Sequence, residues 1–361
     1  MGGLRSARGN HFGRRDVITR MRAIVYSETG TPDVLRLVER DLPQPGPGEV
    51  RVRILVSGVN PTDWKSRAGS RPGEALAFPE VVPNQDGAGI VDAIGAGVER
   101  MSIGDRVWTA IAAYGLASGG TAQEYTVLPA ERVYPLPDSA SFDLGATLGV
   151  PAMTAHRALT VAEDGPRRLS PGALSGRTVL VAGGAGAVGH AAIEVARWAG
   201  ATVITSVSSA PKGALASAAG AHHVVNYRET DAARAIRALA PGGVDLVVEV
   251  APAQNAALNA AVIRTRGSIA VYATTGEPLT LDIRAQMTLN VRYQFQLLYT
   301  LGQDLLDAAA ADIGAAIGDG ALRVGAETGL PLHRFPLERT ADAHAAVETG
   351  VVGKVLIDLA P

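Results

Sequence analysis

The sequence predicts an α/β protein in two parts, a β-rich N-terminal domain followed by a doubly wound parallel sheet. Three observations carry this. The chain has 361 residues, more than one hydrophobic core usually supports. Short Val- and Ile-rich segments, separated by Pro and Gly clusters, fill the region from Met21 to about Ala146. Beyond Pro151, apolar strands alternate with Ala-rich helical stretches.

In the first part, Arg22–Ser27, Glu49–Ser57, Gly89–Ile94 and Asp105–Ala110 read as strands. The run Pro43-Gln44-Pro45-Gly46-Pro47-Gly48 is a turn-rich break among them. They predict a small barrel or rolled sheet. In the second part the strands are Thr178–Ala182, Thr202–Ser206, Val224-Val225, Val244–Val250 and Ser268–Tyr272. Helical stretches at Ala187–Ala199, Ala214–Ala219, Ala232–Ala240 and Asn255–Ile263 fall between them. From about Leu289 the pattern mixes again, and it ends in the strand Lys354–Leu359. No internal repeat is present.

Apolar residues make up 47% of the chain and charged residues 19%, the reverse of a disordered chain's balance. A net charge of −2 gives no global pull toward nucleic acid or an anionic membrane, and no apolar run spans a bilayer. The absence of cysteine removes disulfides, thiolate nucleophiles and cysteine-ligated metals together, and it fits a reducing cytoplasm, the expected location. Residues 1–20 differ from the rest. Arg5, Arg8, Arg14, Arg15 and Arg20 sit among glycine and polar residues with only Asp16 to oppose them. No apolar core follows Arg14-Arg15, so no secretory signal reads there, and no aromatic or motif supports a nucleic-acid arm. The segment reads as a disordered leader, with the folded chain beginning near Met21.

The strongest local signal is T-V-L-V-A-G-G-A-G-A-V-G-H, Thr178 to His190. A buried strand runs directly into Gly184-x-Gly186-x-x-Gly189, and a helix begins near Ala187. One glycine of such a fingerprint makes the tight turn, another admits a pyrophosphate, and the last allows close helix–strand packing. The helix N-terminus then offers free N–H groups and a positive dipole end to phosphates. Alone, GxGxxG is weak in a chain with 42 glycines. With strand, turn and helix in order it marks a Rossmann domain.

The second strand of that domain chooses the nicotinamide cofactor. NAD sites usually end it with Asp or Glu, to bind the ribose 2′-hydroxyl. Here Thr202–Ser206 runs into Val207-Ser208-Ser209-Ala210-Pro211-Lys212, with no acid. Two hydroxyls and a lysine suit a 2′-phosphate, and Tyr227 and Arg228 follow the third strand. NADPH is therefore the expected cofactor. Ser208 and Ser209 also read as caps for the helix after Pro211, and Lys212 as a solvated charge; capping is compatible with phosphate binding.

Longer matches extend these motifs: G-V-N-P-T-D-W-K (Gly58 to Lys65), N-Q-D-G-A-G-I-V (Asn84 to Val91), G-D-R-V (Gly104 to Val107) and G-G-T-A-Q-E-Y (Gly119 to Tyr125). P-A-M-T-A-H-R-A-L (Pro151 to Leu159), N-Y-R (Asn226 to Arg228) and G-K-V (Gly353 to Val355) follow. On these residues the sequence resembles the zinc-free quinone oxidoreductases related to zeta-crystallin, in the medium-chain dehydrogenase/reductase superfamily, from about Met21 to Leu359.

The resemblance implies a GroES-like catalytic domain over 21–150, completed by 289–361, flanking a Rossmann domain over 151–288. It implies a substrate cleft between the two and a homodimer. Asn60 stands where zinc-dependent relatives commonly carry a Cys ligand, and Gln85 where they carry His. An amide is a poor zinc ligand, so metal catalysis is not expected. By the same carry-over, Asn60, Lys65 and Thr154 lie near the nicotinamide. Gly186, Ala187 and Val188 hold the pyrophosphate, and Ser208, Lys212 and Tyr227 surround the 2′-phosphate, with Gly184, Gly189 and Ser209 also counted as cofactor-binding. Val250, Ala251, Tyr272 and Ala273 line the cofactor channel, with Lys354 near its far wall. The sequence departs from the family at Ser208-Ser209, where relatives carry Gly-Thr, and at Glu249-Val250-Ala251-Pro252.

The expected activity is hydride transfer from NADPH to a small quinone or enone, acceptors that need little polarisation. Asn60, Asp63 and Lys65 are the candidate catalytic residues, and no proton donor stands out. For Trp64, His156 and His190 a packing or capping role is favoured. Two alternatives remain. One is an NADPH-dependent enoyl or 2-alkenal reductase. The other is an NADPH-binding or nucleic-acid-binding protein without turnover.

Overall fold

The structure, a computed structural model, describes residues 19–69 and 75–359. Most of the basic leader, residues 1–18, lies outside the described residues. The first strand, β1 (Arg20–Val25), begins one residue ahead of Met21 and pairs antiparallel with β2 (Arg36–Asp41). There follow β3 (Glu49–Val59), α1 (Pro61–Ala68), β4 (Asp86–Ile94), β5 (Arg106–Thr109), β6 (Tyr125–Pro129), β7 (Val133–Pro135) and α2 (Phe142–Gly145). A π-helical turn at Leu148–Ala152 leads into α3 (Met153–Leu159).

The second domain alternates β8 (Thr178–Ala182), α4 (Ala187–Trp198), β9 (Thr202–Val207), α5 (Ala210–Ala218), β10 (His223–Asn226) and α6 (Ala232–Leu239). It continues with β11 (Val244–Glu249), α7 (Pro252–Val262), β12 (Ile263–Val271), α8 (Ile283–Leu289), β13 (Arg292–Phe295) and α9 (Gln303–Gly318). These strands form one parallel sheet in the order β10-β9-β8-β11-β12-β13. Parallel strands are covered on both faces, and β8 shows why its sequence is apolar throughout. Val179 and Val181 join one core cluster, whereas Leu180 between them joins another with Ile204 and Ile236.

The tail, β14 (Leu332–Pro336), α10 (Thr340–Glu348) and β15 (Lys354–Asp358), crosses back to the first domain. There the sheet runs β14-β15-β3-β4-β5-β7. β3 is its spine: it pairs with β4 along most of its length, with β6 at its start and with β15 at its end. Val50, Val52 and Ile54 on β3 pack with Leu128, Val355 and Ile357 in a separate core. The crossing point differs from the expected Leu289. β13 pairs with β12 as the edge of the parallel sheet, and Asp312 on α9 binds His156 Nε2 of α3 at 2.8 Å. The chain therefore leaves the second domain only after α9. The mixed pattern that suggested an earlier exit is a short edge strand beside an Ala-rich helix.

Candidate active site

A cavity of about 270 Å³ opens at the carboxyl ends of β8, β9 and β11, where ligands bind to open parallel sheets. Its floor is the glycine turn. Gly183 takes the left-handed conformation, with φ of 70°, and its carbonyl accepts Gly186 N at 3.0 Å. The reversal thus falls one residue before the fingerprint. A Cβ on Gly189 would lie 2.4 Å from Gly183 O, so that position must be glycine for α4 to pack on the turn. A Cβ on Gly184 would likewise lie 2.2 Å from Thr205 Oγ1 of β9. The first bond of α4 runs from His190 N to Gly186 O at 2.7 Å, so the N–H groups of Ala187, Val188 and Gly189 precede the helical ladder and remain for an anion.

Gly186, Ser208, Lys212, Tyr227 and Val250 all border this cavity. Ser209 is the N-cap of α5, but its hydroxyl makes no capping bond. Ala251, Tyr272 and Ala273 follow β11 and β12 at the same end of the sheet. Tyr272 N donates to Glu249 O at 3.1 Å. Glu249 itself is a clamp, its carboxylate accepting from Ala251 N, Asn255 Nδ2 and Asn259 Nδ2 at 2.6–2.9 Å. That accounts for a buried acid at the end of β11. Sequence reading missed the opposite wall, Gly350, Val351 and Val352, which the tail supplies just before β15. The glycines at 350 and 353 flanking this apolar pair are the signal that marks it.

The candidates at the other end of the cleft separate. Lys354 does not border the cavity among the described residues. It is 1% exposed, and its ammonium donates to Asn60 Oδ1 at 2.7 Å and Asp86 Oδ2 at 2.9 Å. Asn60 Nδ2 donates to the same Asp86 Oδ2 at 2.8 Å, and Asp86 Oδ1 accepts Val150 N at 2.7 Å. An ammonium only donates, so this contact fixes which end of the Asn60 amide is oxygen. Asn60 caps α1, and Asp63 within the first turn of α1 takes Asn60 N at 2.6 Å. Lys65 instead lies exposed, with Nζ 5.8 Å from the Trp64 ring centroid. Thr154 is buried on α3, and its carbonyl accepts Gln296 Nε2 at 3.2 Å. His156 and His190 are buried in packing roles, bonded to Asp312 and to Arg323 O.

Comparison with known proteins matches this two-domain plan. Residues 46–138 fit the alcohol dehydrogenase GroES-like domain, and residues 187–311 fit the family described as zinc-binding dehydrogenase. The quinone oxidoreductase of Lama guanicoe is 31% identical over 93% of this chain and 97% of its own length. The chain belongs to the quinone oxidoreductases of the medium-chain dehydrogenase/reductase superfamily. Another relative, a 2-haloacrylate reductase of Burkholderia sp, is 30% identical over 89% of this chain and 94% of its own. A solved structure of mycobacterial Rv1454c complexed with NADPH superposes with a TM-score of 0.76 at 30% identity, covering 94% of this chain and 99% of that one.

At the two positions where the resemblance places zinc ligands in zinc-dependent relatives, this quinone oxidoreductase family member carries amides, Asn60 and Gln85, which are poor zinc ligands. The oxygen of Asn60 is already engaged by the Lys354 ammonium. Among the described residues no group of three or more His, Asp or Glu could hold a metal. No described helix is long and apolar enough to cross a membrane. Because Lys354 neutralises a buried carboxylate, Lys354→Met is expected to cost about 3–5 kcal/mol in urea unfolding. Adding Asp86→Asn should recover part of that loss. An additive double variant would contradict the coupling.

Proposed function

We propose that the protein reduces quinones or similar conjugated carbonyl compounds with NADPH, and that it works without zinc. The observation that carries the reading is the cavity beside the glycine turn, where Ser208, Lys212 and Tyr227 gather at the acid-free end of β9. Hydroxyl, ammonium and phenol groups are donors suited to a 2′-phosphate, and an acid there would repel one. The free N–H groups at the start of α4 would take the pyrophosphate, with Val250, Ala251, Tyr272 and Ala273 along the path toward Asn60 and Thr154. Bound there, NADPH supplies a hydride. The protein's part is to align the acceptor, exclude water and supply a proton. Conjugated acceptors need no Lewis acid, in keeping with the Lys354–Asn60 contact at the position of a metal ligand.

A second reading, reduction of activated alkenes, is favoured by the likeness to a 2-haloacrylate reductase. We further propose a homodimer in the cytoplasm. Among the described residues β13 is a free edge of the parallel sheet, and Phe295 (60% exposed), Leu297, Ile283 and Met287 leave apolar surface around it.

NADPH oxidation in the presence of a panel of quinones and enones is expected to be fastest with quinones. Turnover of enones alone selects the second reading, and no turnover with either contradicts both. Lys212→Ala should raise KM for NADPH about tenfold, as loss of one charge-assisted bond near the surface does, and leave NADH unchanged. An equal response of both cofactors would remove the 2′-phosphate assignment. Sedimentation should give twice the chain mass, and Phe295→Asp should give monomers; a wild-type monomer at the same concentration rules the dimer out.

A further inference from the structure

One buried acid has only half of its carboxyl group engaged by the scaffold. Asp63 is 3% exposed on the first turn of α1. Its Oδ2 accepts Asn60 N, whereas its Oδ1 has no well-aligned hydrogen-bond partner among the described residues, the Gln85 N–H alone lying close by. A carboxylate near a helix N-terminus is ordinarily solvated and ionised, which favours the helix dipole. Here Asp63 is instead buried and lines a cavity of about 410 Å³, together with Tyr26, Phe78, Gln85 and Tyr114. That volume suits a one- or two-ring planar molecule.

The cavity reaches the junction of the two domains. The Tyr114 ring lies 5.0 Å from that of Tyr299, which follows β13, and the Tyr299 hydroxyl donates to Thr62 Oγ1 at 2.7 Å, one residue from Asp63. We infer that this cavity receives the carbonyl acceptor and that Asp63 protonates its reduced oxygen. The inference rests on the proposed conjugated carbonyl substrate and names the proton source that this reading leaves open.

The step balances. The acceptor gains two electrons and one hydrogen as hydride and is left as an oxyanion. The O–H bond of protonated Asp63 breaks, its proton forms a new O–H bond on that oxyanion, and the resulting carboxylate regains a proton from water. Burial, then the neighbouring Asp86 carboxylate, push the Asp63 acid up to about 7, against the backbone N–H groups of Asn60 and Gln85 and the Lys354 ammonium. Asp86 faces it from β4, Lys354 from β15, Tyr26 from the chain after β1, and Tyr299 from the second domain. Arg67 on α1 is bound to Glu348, and beside it His344 of α10 is kept neutral by burial, its pKa lowered to about 3. The other proton carriers suit the task less well. Tyr26 is pushed up to about 12 by burial, Lys354 is held by Asn60 and Asp86, and Lys65 is exposed.

Asp63→Asn keeps an oxygen for Asn60 N–H but cannot deliver the proton. It is expected to lower kcat for a quinone or enone about 100-fold, the usual contribution of a positioned general acid. It should leave NADPH affinity unchanged and abolish the decline of kcat above pH 7. Asp63→Glu should restore part of the rate. A readout independent of turnover follows from linkage. The folded acid lies above its ordinary value, so its stabilising contribution is complete at acid pH and is lost as pH rises through about 7. The melting temperature of Asp63→Asn minus that of the wild type should therefore rise between pH 5 and pH 8. If the variant does not fold, carboxyl carbon NMR of the wild type should still show a carboxyl titrating near pH 7. An unchanged alkaline decline in the variant, a flat melting-temperature difference, or no carboxyl titrating near neutrality would overturn the inference. Failure of the wild type to reduce any conjugated carbonyl would instead overturn the functional reading, while the stability and NMR measurements still report on Asp63.

Discussion

The contact of the Lys354 ammonium with Asp86 and Asn60 is where the molecule's parts meet. Asp86 sits on β4, Lys354 opens the last strand, Asn60 caps α1, and Val150 stands at the entrance to the second domain. Three other segments thus converge on the buried Asp86 carboxylate of β4. Such a cluster tolerates little change, because removing any partner leaves a buried group unsatisfied. It also fixes the Asn60 amide and, through Asn60 N, the placement of Asp63.

This anchoring links fold to chemistry. The tail that delivers Lys354 also delivers Gly350, Val351 and Val352 to the wall of the cavity beside the glycine turn, two residues earlier. The strand that closes the first domain thus also completes the site of the second. In zinc-dependent relatives the resemblance places a metal ligand at the Asn60 position. Here a lysine cation occupies the neighbourhood of that oxygen, so the framework carries its positive charge on the chain itself. That arrangement suits an acceptor whose conjugation already lowers the barrier to hydride addition.

Much of this was legible in the sequence, for identifiable reasons. The run Thr178–Ala182 marks β8 with its bounds, because a strand buried on both faces is a near-continuous apolar run. The glycine turn was equally plain, since Gly189 has no room for a side chain. Local reading failed where contacts are long-range. The edge strand β13 is short and carries Arg292 and Gln294, so its membership in the parallel sheet depends on pairing with β12 rather than on its composition. The partnership of Lys354 with Asn60, 294 residues away, leaves no local trace in the sequence. Asp63 was recognised as a candidate, but its burial beside Asp86 depends on how β4 packs against α1.

The central claim is that a lysine-centred cluster, with no metal, supports NADPH-dependent reduction. It is tested most directly by dialysing the protein against a strong chelator, verifying by elemental analysis that zinc is gone, and following NADPH oxidation by a quinone. The account predicts the same rate as before dialysis, with NADPH preferred over NADH. A rate that falls with zinc content and returns when zinc is restored would contradict it.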